Sequence, residues 1–240
     1  MSESESLLEL QAQLEAARRQ AQLLTDTISH DMRAPLRAIE GFAGRIADSA
    51  HDRLDPRERE QLQRIRAAAA RMNTLLEGLN ELSRATHAEL EYEDVDFSLL
   101  SEWALADLQE AEPGRNLELV IQPGLRARGD ERLLRQMVTR LLHNAWKFSA
   151  SKAQTRIEVS GHHESGRIVL VIRDHGIGFD PRYADKLFQP LQRLHGVEEG
   201  GGHGLGLAIA QCVATRHHGR ITATSQPGDG ATFTVDLPGV

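Results

Sequence analysis

Cysteine is almost absent from this 240-residue chain: Cys212 stands alone. One thiol cannot close an internal disulfide, so no disulfide framework holds the fold, and the composition suits a reducing compartment. Long apolar runs are missing as well. No stretch approaches the ~18 consecutive apolar residues of a membrane-spanning helix, and the opening MSESESLLEL is too polar and acidic for a signal peptide. The expectation is a cytoplasmic chain with no direct membrane span. A formal charge of −7 leaves no general excess of positive charge, which argues against a nucleic-acid binder.

Other absences are local. Up to residue 90 there are three glycines, two prolines and no valine; beyond it come 17 glycines and six prolines, and the first valine is Val95. A segment poor in glycine and β-branched residues but rich in Ala, Leu, Glu, Arg and Gln favours long helices. The first part is therefore read as helical and the second as mixed α/β. Leu7, Leu14, Ala21 and Ile28 repeat every seven residues, with Leu10, Ala17 and Leu24 at the companion position. That is a coiled-coil seam, expected to end where its next position becomes Asp31. After the breaker SAHDRLDPRE, the residues Leu62, Ile65, Ala69, Met72, Leu76 and Leu79 keep similar spacing. Two such helices form a hairpin whose apolar stripe nothing else in this half can cover. A second copy would complete a four-helix bundle, so a homodimer is expected.

In the second part LELVIQ, RIEVSGHH, GRIVLVIRD, GRITATSQ and ATFTVDL read as strands. HESGR and QPGDGA read as turns between antiparallel neighbours. Helical patterns cover 97–111, 130–148 and 205–217, with Asp130 a suitable N-cap. Strands in pairs with helices between them predict an α/β sandwich with one sheet face covered by helices. The whole chain divides into a helical extension (1–24), a helical hairpin (25–90) and the α/β part (91–240).

Three stretches of the second part suggest chemistry. In RLLHNAWKFS, Asn144 and Lys147 lie three apart on one helix face; an amide oxygen can ligate Mg²⁺ and an ammonium can neutralise phosphate. In RDHGIGFD, Asp174 ends a strand and is followed by Gly176 and Gly178. A carboxylate there can accept from an exocyclic amine, while the glycines let backbone approach a flat ring. In GGGHGLGLAIA, residues 200–210, a glycine run opens a helix, where bare N–H groups bind anions. Its spacing is neither a Walker A loop nor a dinucleotide fingerprint.

In this order and at these intervals the motifs resemble the catalytic core of the sensor histidine kinases. They correspond to that family's N box around Asn144, its G1 box from Asp174 to Gly178, its F box KLFQPLQRL and its G2 box from Gly202 to Leu207. TDTISHDMRAPLRAIEGF, residues 25–42, matches the phosphoacceptor H box, and the wording of three boxes is similar to the phytochrome-like branch. The resemblance implies a dimeric four-helix-bundle hairpin followed by a GHKL-type (Bergerat) ATP-binding domain, with ATP and Mg²⁺ bound. Asp174 would read the adenine amine, with Gly176 and Gly178 beside it, and Asn144 would hold Mg²⁺. Lys147 and Arg193 would face the phosphates, with Gly202, Gly204, Leu205 and Gly206 in a segment closing over the nucleotide. His30 would take the γ-phosphoryl group, Asp31 would orient its imidazole, and a response-regulator receiver domain would accept the phosphoryl group.

On the seam numbering His30 falls at a c position, pointing to solvent. Three positions depart from the family pattern: Arg140 stands where many relatives have asparagine, His175 replaces the commoner asparagine, and Ala34 replaces Thr or Asn. Alanine has no donor or acceptor with which to hold a hydrolytic water, so weak dephosphorylation of the partner is expected. Pro35 lacks an amide hydrogen and leaves the Asp31 carbonyl without its helical partner; a hinge at the reacting turn is expected. Two other functions compete: a non-catalytic phosphotransfer scaffold with a degenerate ATP domain, and a DNA-remodelling GHKL ATPase. The intact G1 and N-box residues speak against the first, and the H box is unexplained by the second. The chain is read as a compact cytosolic kinase or as the core of a longer receptor.

Overall fold

The computed structural model describes residues 3–50, 53–192 and 203–239. Two compact units emerge, Met1–His87 and Ala88–Val240. The first is a hairpin of α1 (Glu3–Ser49) and α2 (Pro56–His87). The start of α2 is written locally. Asp55 accepts the Glu58 amide at 2.8 Å, Glu58 reaches back to the Asp55 amide at 2.8 Å, and Pro56 takes the first helical position. This reciprocal capping box stops the preceding turn and starts the helix.

Leu36 and Ala43 of α1 and Ala69 of α2 are buried within the hairpin. Small residues here let two helices approach closely. The seam expected on α1 lies on another face: Leu10, Leu14, Leu24 and Ile28 are all exposed in the single chain. It also does not end at Asp31. Met32, Ile39, Phe42 and Ile46 continue an exposed apolar stripe past it. A four-residue step from Ile28 to Met32 replaces the expected three, shifting one row of the repeat by one position. The α2 row likewise divides, with Ala69 inside and Ile65, Met72 and Leu79 exposed. Helix α1 runs unbroken through Pro35.

The second unit contains β1 (Glu93–Asp96), α3 (Phe97–Ala111), β2 (Leu117–Ile121), β3 (Arg126–Gly129), α4 (Glu131–Phe148), β4 (Thr155–Glu164) and β5 (Arg167–Asp174). A short 3₁₀ helix (Pro181–Lys186), α5 (Gly206–Arg216), β6 (Arg220–Gln226) and β7 (Gly230–Pro238) follow. The main sheet has the order β2-β4-β5-β7-β6, in which only the β2–β4 pair is parallel. β1 and β3 form a separate antiparallel pair. Those two four-residue strands have no signature in the sequence, because they are too short to show an alternation.

Alternation in the long strands sets the layers. Ile157 and Val159 of β4, Ile168, Leu170 and Ile172 of β5, and Phe233, Val235 and Leu237 of β7 are buried. The residues between them are less so, and many are polar. Against the buried face α4 presents Leu134, Met137, Val138, Leu141, Leu142 and Ala145, each fully buried. Asp96 and Asp130 cap α3 and α4 by accepting the Leu99 and Leu133 amides at 3.0 and 3.2 Å. The unit is thus a helical layer on one mixed sheet, with the expected long helices and five strands in place.

Candidate functional site

Asp174 closes β5 and is buried at 3% exposure. Its Oδ1 accepts the amides of Gly176 at 2.9 Å and Ala231 at 3.3 Å, while Oδ2 makes no hydrogen bond among the described residues. Burial pushes the carboxyl up to about 6, against the two amide bonds that favour its charge. A mostly buried carboxylate with one oxygen satisfied by two amides and the other without a protein partner among the described residues is a strong acceptor for an incoming N–H donor.

The glycines beside it are demanded by contact. A Cβ on Gly176 would lie 2.3 Å from the Phe148 carbonyl oxygen, and one on Gly178, whose φ is +64°, would lie 2.1 Å from that of Gln226. Backbone therefore passes directly against the end of α4 and the β6–β7 turn. Ile177 ties both, donating to the Phe148 carbonyl at 3.0 Å and accepting the Gly228 amide at 2.7 Å. Ser225, which carries no signal in the sequence, locks the same loop. Its hydroxyl accepts the Phe179 amide at 2.8 Å and donates to the Gly230 carbonyl at 2.5 Å.

Asn144 and Lys147 occupy the C-terminal half of α4, both half-buried. The Asn144 amide makes no hydrogen bond among the described residues, and the Lys147 ammonium lies 4.6 Å from the centroid of Phe148. Gly204 has φ +71° and its carbonyl accepts the Leu191 amide at 2.9 Å; a Cβ there would strike the Gln192 carbonyl oxygen at 2.6 Å. Leu205 is the N-cap of α5 and supplies no side-chain cap, so the first turn beginning at Gly206 presents amides without one. Arg193 and Gly202 lie outside the described residues. Within this unit the structure gathers Asp174, Gly176 and Gly178 with the end of α4, and pairs Gly204 with the end of the F box.

His30 and Asp31 belong to the other unit. His30 projects from α1 with its side chain 83% exposed, and its Nδ1 lies 3.3 Å from the Asp31 Oδ1. His30 points outward as expected, although the four-residue step from Ile28 to Met32 removes the c register on which that expectation was based, and its Nδ1 meets Asp31. Ala34 and Pro35 follow on the exposed surface of the same helix.

Two networks escaped sequence reasoning because their members are far apart in the chain. His217 is buried, donates from Nδ1 to the Val213 carbonyl at 2.8 Å and accepts the Asp130 amide on Nε2 at 2.9 Å. An amide can only donate, so this tautomer is set, and burial lowers the histidine's basicity. Burial opposes the charge of Asp130, but hydrogen bonds from Arg132, Glu91 and Leu133 outweigh it and hold the carboxyl below its usual range. Beside the candidate site, His175 meets Glu158 at 3.0 Å, and Glu158 also takes Arg156 at 2.8 Å. Hydrogen bonding to His175, then to Arg156, holds Glu158 low. His175 thus bonds locally to a carboxylate.

Residues 20–88 match the family described as the His Kinase A (phospho-acceptor) domain, and residues 129–240 match the histidine kinase-, DNA gyrase B-, and HSP90-like ATPase family. The chain is 28% identical over 242 residues to the phytochrome-like protein Cph1 of Synechocystis sp., covering 99% of this chain and 32% of that protein. It is 35% identical over 227 residues to the sensor histidine kinase TrcS of Mycobacterium tuberculosis, covering 92% and 44%. Among solved structures, full-length ShkA in complex with AMPPNP shares the fold with a TM-score of 0.64 at 24% identity, over 90% of this chain and 45% of that one. A phosphoacceptor hairpin joined to a GHKL-type α/β sandwich is the catalytic core of a two-component sensor kinase. The chain carries the catalytic core of a sensor histidine kinase, made of these two domains. It spans less than half the length of each of these relatives. Among the described residues no helix is long and apolar enough to cross a membrane.

Proposed function

We propose that the chain is an ATP-dependent protein-histidine kinase that phosphorylates itself on His30 and passes the phosphoryl group to an aspartate of a response-regulator receiver domain. One observation carries the nucleotide half of this reading: buried Asp174 has Oδ1 satisfied by two amides and Oδ2 without a partner among the described residues. The adenine exocyclic amine is the donor that this oxygen suits. The AMPPNP complex of the structurally similar ShkA supports an adenine nucleotide.

The half-buried Asn144 amide suits Mg²⁺ as one neutral oxygen, since that ion keeps several waters and takes substrate phosphates for the rest. Bound there, Mg²⁺ would neutralise phosphate charge. Lys147 adds a point charge, and Gly204, Leu205 and Gly206 leave backbone amides open to anions. Phosphoryl transfer asks little covalent chemistry of the protein beyond placement and charge. The His30 Nε2 lone pair attacks the γ-phosphorus as the bond to the ADP oxygen breaks, and ADP leaves with that electron pair. Asp31 holds the Nδ1 proton, keeping Nε2 unprotonated beforehand and accepting the positive charge that forms. Its 3.3 Å contact supports that role.

The exposed stripe of Ile28, Met32, Ile39, Phe42 and Ile46, with Ile65, Met72 and Leu79, supports a homodimer through the hairpin. Division into an extension (1–24), a phosphotransfer hairpin (25–90) and an ATP-binding domain (91–240) belongs to the same proposal. The test is incubation with ATP radiolabelled on the γ-phosphate. Label that is acid-labile, alkali-stable and lost in His30→Ala is expected. No label despite nucleotide binding would refute the kinase reading and leave a non-catalytic scaffold.

A further inference from the structure

Between the end of α2 at His87 and the start of β1 at Glu93 the chain forms neither helix nor strand. A free connection of that length would reach up to about 17 Å. This one is fastened at both ends. The Arg216 guanidinium, on the last residue of α5, donates to the Ala88 carbonyl. The Glu91 amide donates to the Asp130 Oδ2 at 3.1 Å. The Tyr92 ring meets the His217 imidazole at a centroid distance of 5.8 Å, tilted by 59°.

The anchor beneath these contacts is stiff. Asp130 and His217 are each 1% exposed. Asp130 caps α4, meets Arg132 at 3.0 Å and gives its own amide to His217. A Cβ on Gly129 would lie 2.7 Å from the His217 Cδ2, so the glycine keeps that place open for the imidazole. Helix α2 is firm up to its final residue, where the His87 Nδ1 donates to the Ser83 carbonyl at 2.7 Å. The connection itself buries little: Glu89, Glu91 and Tyr92 are exposed, so directed contacts and not apolar burial hold it in place.

A tether sets the effective concentration of the groups it joins. Once it is longer than its span requires, that concentration falls as roughly the −3/2 power of length or more steeply. Fastening the connection removes its slack. We propose that Arg216, Asp130, His217 and Tyr92 form a clasp on the connection, and that through it Arg216 and Tyr92 act as positioning residues for phosphorylation of His30. This rests on the kinase reading of the two units.

Two measurements on the whole chain test the clasp: the rate of labelling by γ-labelled ATP at saturation, and ATP affinity by equilibrium dialysis. Combining Arg216→Met with Tyr92→Ala frees both ends of the connection and leaves Asp130 and His217, which also hold α4, in place. Labelling should slow about fivefold or more, while the ATP Kd stays within about twofold. Hydrogen exchange at the Glu91 amide should quicken while α4 stays protected. Arg216→Lys can still donate to the Ala88 carbonyl and should keep most of the wild-type rate. Inserting Gly-Ser-Gly-Ser between His87 and Ala88 adds slack with every contact intact, and should slow labelling as the double variant does. A double variant that labels within about twofold of wild type, or an insertion without effect, overturns the assignment. So does a loss of ATP affinity that accounts for the lost rate, which would mark general damage to the ATP-binding unit. A wild-type chain that binds ATP and takes no label refutes the kinase reading instead, whereas an unaffected double variant leaves that reading standing.

Discussion

Replacing Asp174 with asparagine should make the nucleotide-free protein more stable while abolishing its recognition of adenine. Burial moves this carboxyl from 3.8 to about 6. An unfolded chain releases the proton near the lower value, so between the two the folded state holds more protons. Stability therefore falls as pH rises from about 4 to about 6, and the penalty is fully present above that window. At about 1.4 kcal/mol per pKa unit, the penalty at pH 8 is about 3 kcal/mol. Asparagine keeps an oxygen for the Gly176 and Ala231 amides, at 2.9 and 3.3 Å in the parent, and carries no charge. For a unit of this size each kcal/mol shifts the midpoint by roughly 2–4 °C, so the variant should melt roughly 6–12 °C higher at pH 8. By pH 5 the difference should shrink to roughly half. Calorimetric melts of both proteins without nucleotide, at pH 8 and pH 5, test this. The same variant turns an NH₂ towards the adenine amine, donor against donor, and should not bind ATP. A variant no more stable at pH 8, or a gap independent of pH, would show that the charge on Asp174 is not desolvated as the geometry requires.

Gly178→Ala should lower stability by several kcal/mol and eliminate ATP binding, because its Cβ would lie 2.1 Å from a carbonyl oxygen at a φ of +64°; denaturant melts and dialysis measure both. Ala34→Thr should accelerate dephosphorylation of a phosphorylated receiver domain by supplying a hydroxyl one turn after His30, and an unchanged rate would remove the explanation given for weak activity. Pro35→Ala restores the amide donor for the Asp31 carbonyl and, if the turn works as a hinge, shifts the ratio of autophosphorylation to transfer. Equal ratios would leave Pro35 as a static feature of a helix that runs straight through it in secondary structure.

Features set by neighbouring residues are legible in the sequence. The Asp130 cap, the helix over 97–111 and the turns at 165–166 and 227–229 depend on contacts within a few residues, where spacing and side-chain type decide the outcome. The outward position of His30 is legible too, although the heptad register behind that expectation does not hold past Ile28. The glycines of the G1 box were legible as close approaches, although what they approach was not. Gly176 faces the Phe148 carbonyl and Gly178 that of Gln226, both brought there from other elements.

The seam shows the limit of a pattern. Residues 7–28 repeat faithfully, yet the stripe continues through Met32 instead of stopping at Asp31, since a helix tolerates a four-residue step without breaking. The sequence by itself determined two units of different secondary structure, the chemical inventory of the site and the exposure of His30, because period and residue type act over one or two turns. Tertiary structure alone decided that Ser225 secures the G1 loop and that Asp130 and His217 join across 87 positions. It also decided the pairing of β2 with β4 and the desolvation of Asp174. Each of these depends on groups distant in the chain sharing one dry volume, a property of packing that no local pattern encodes.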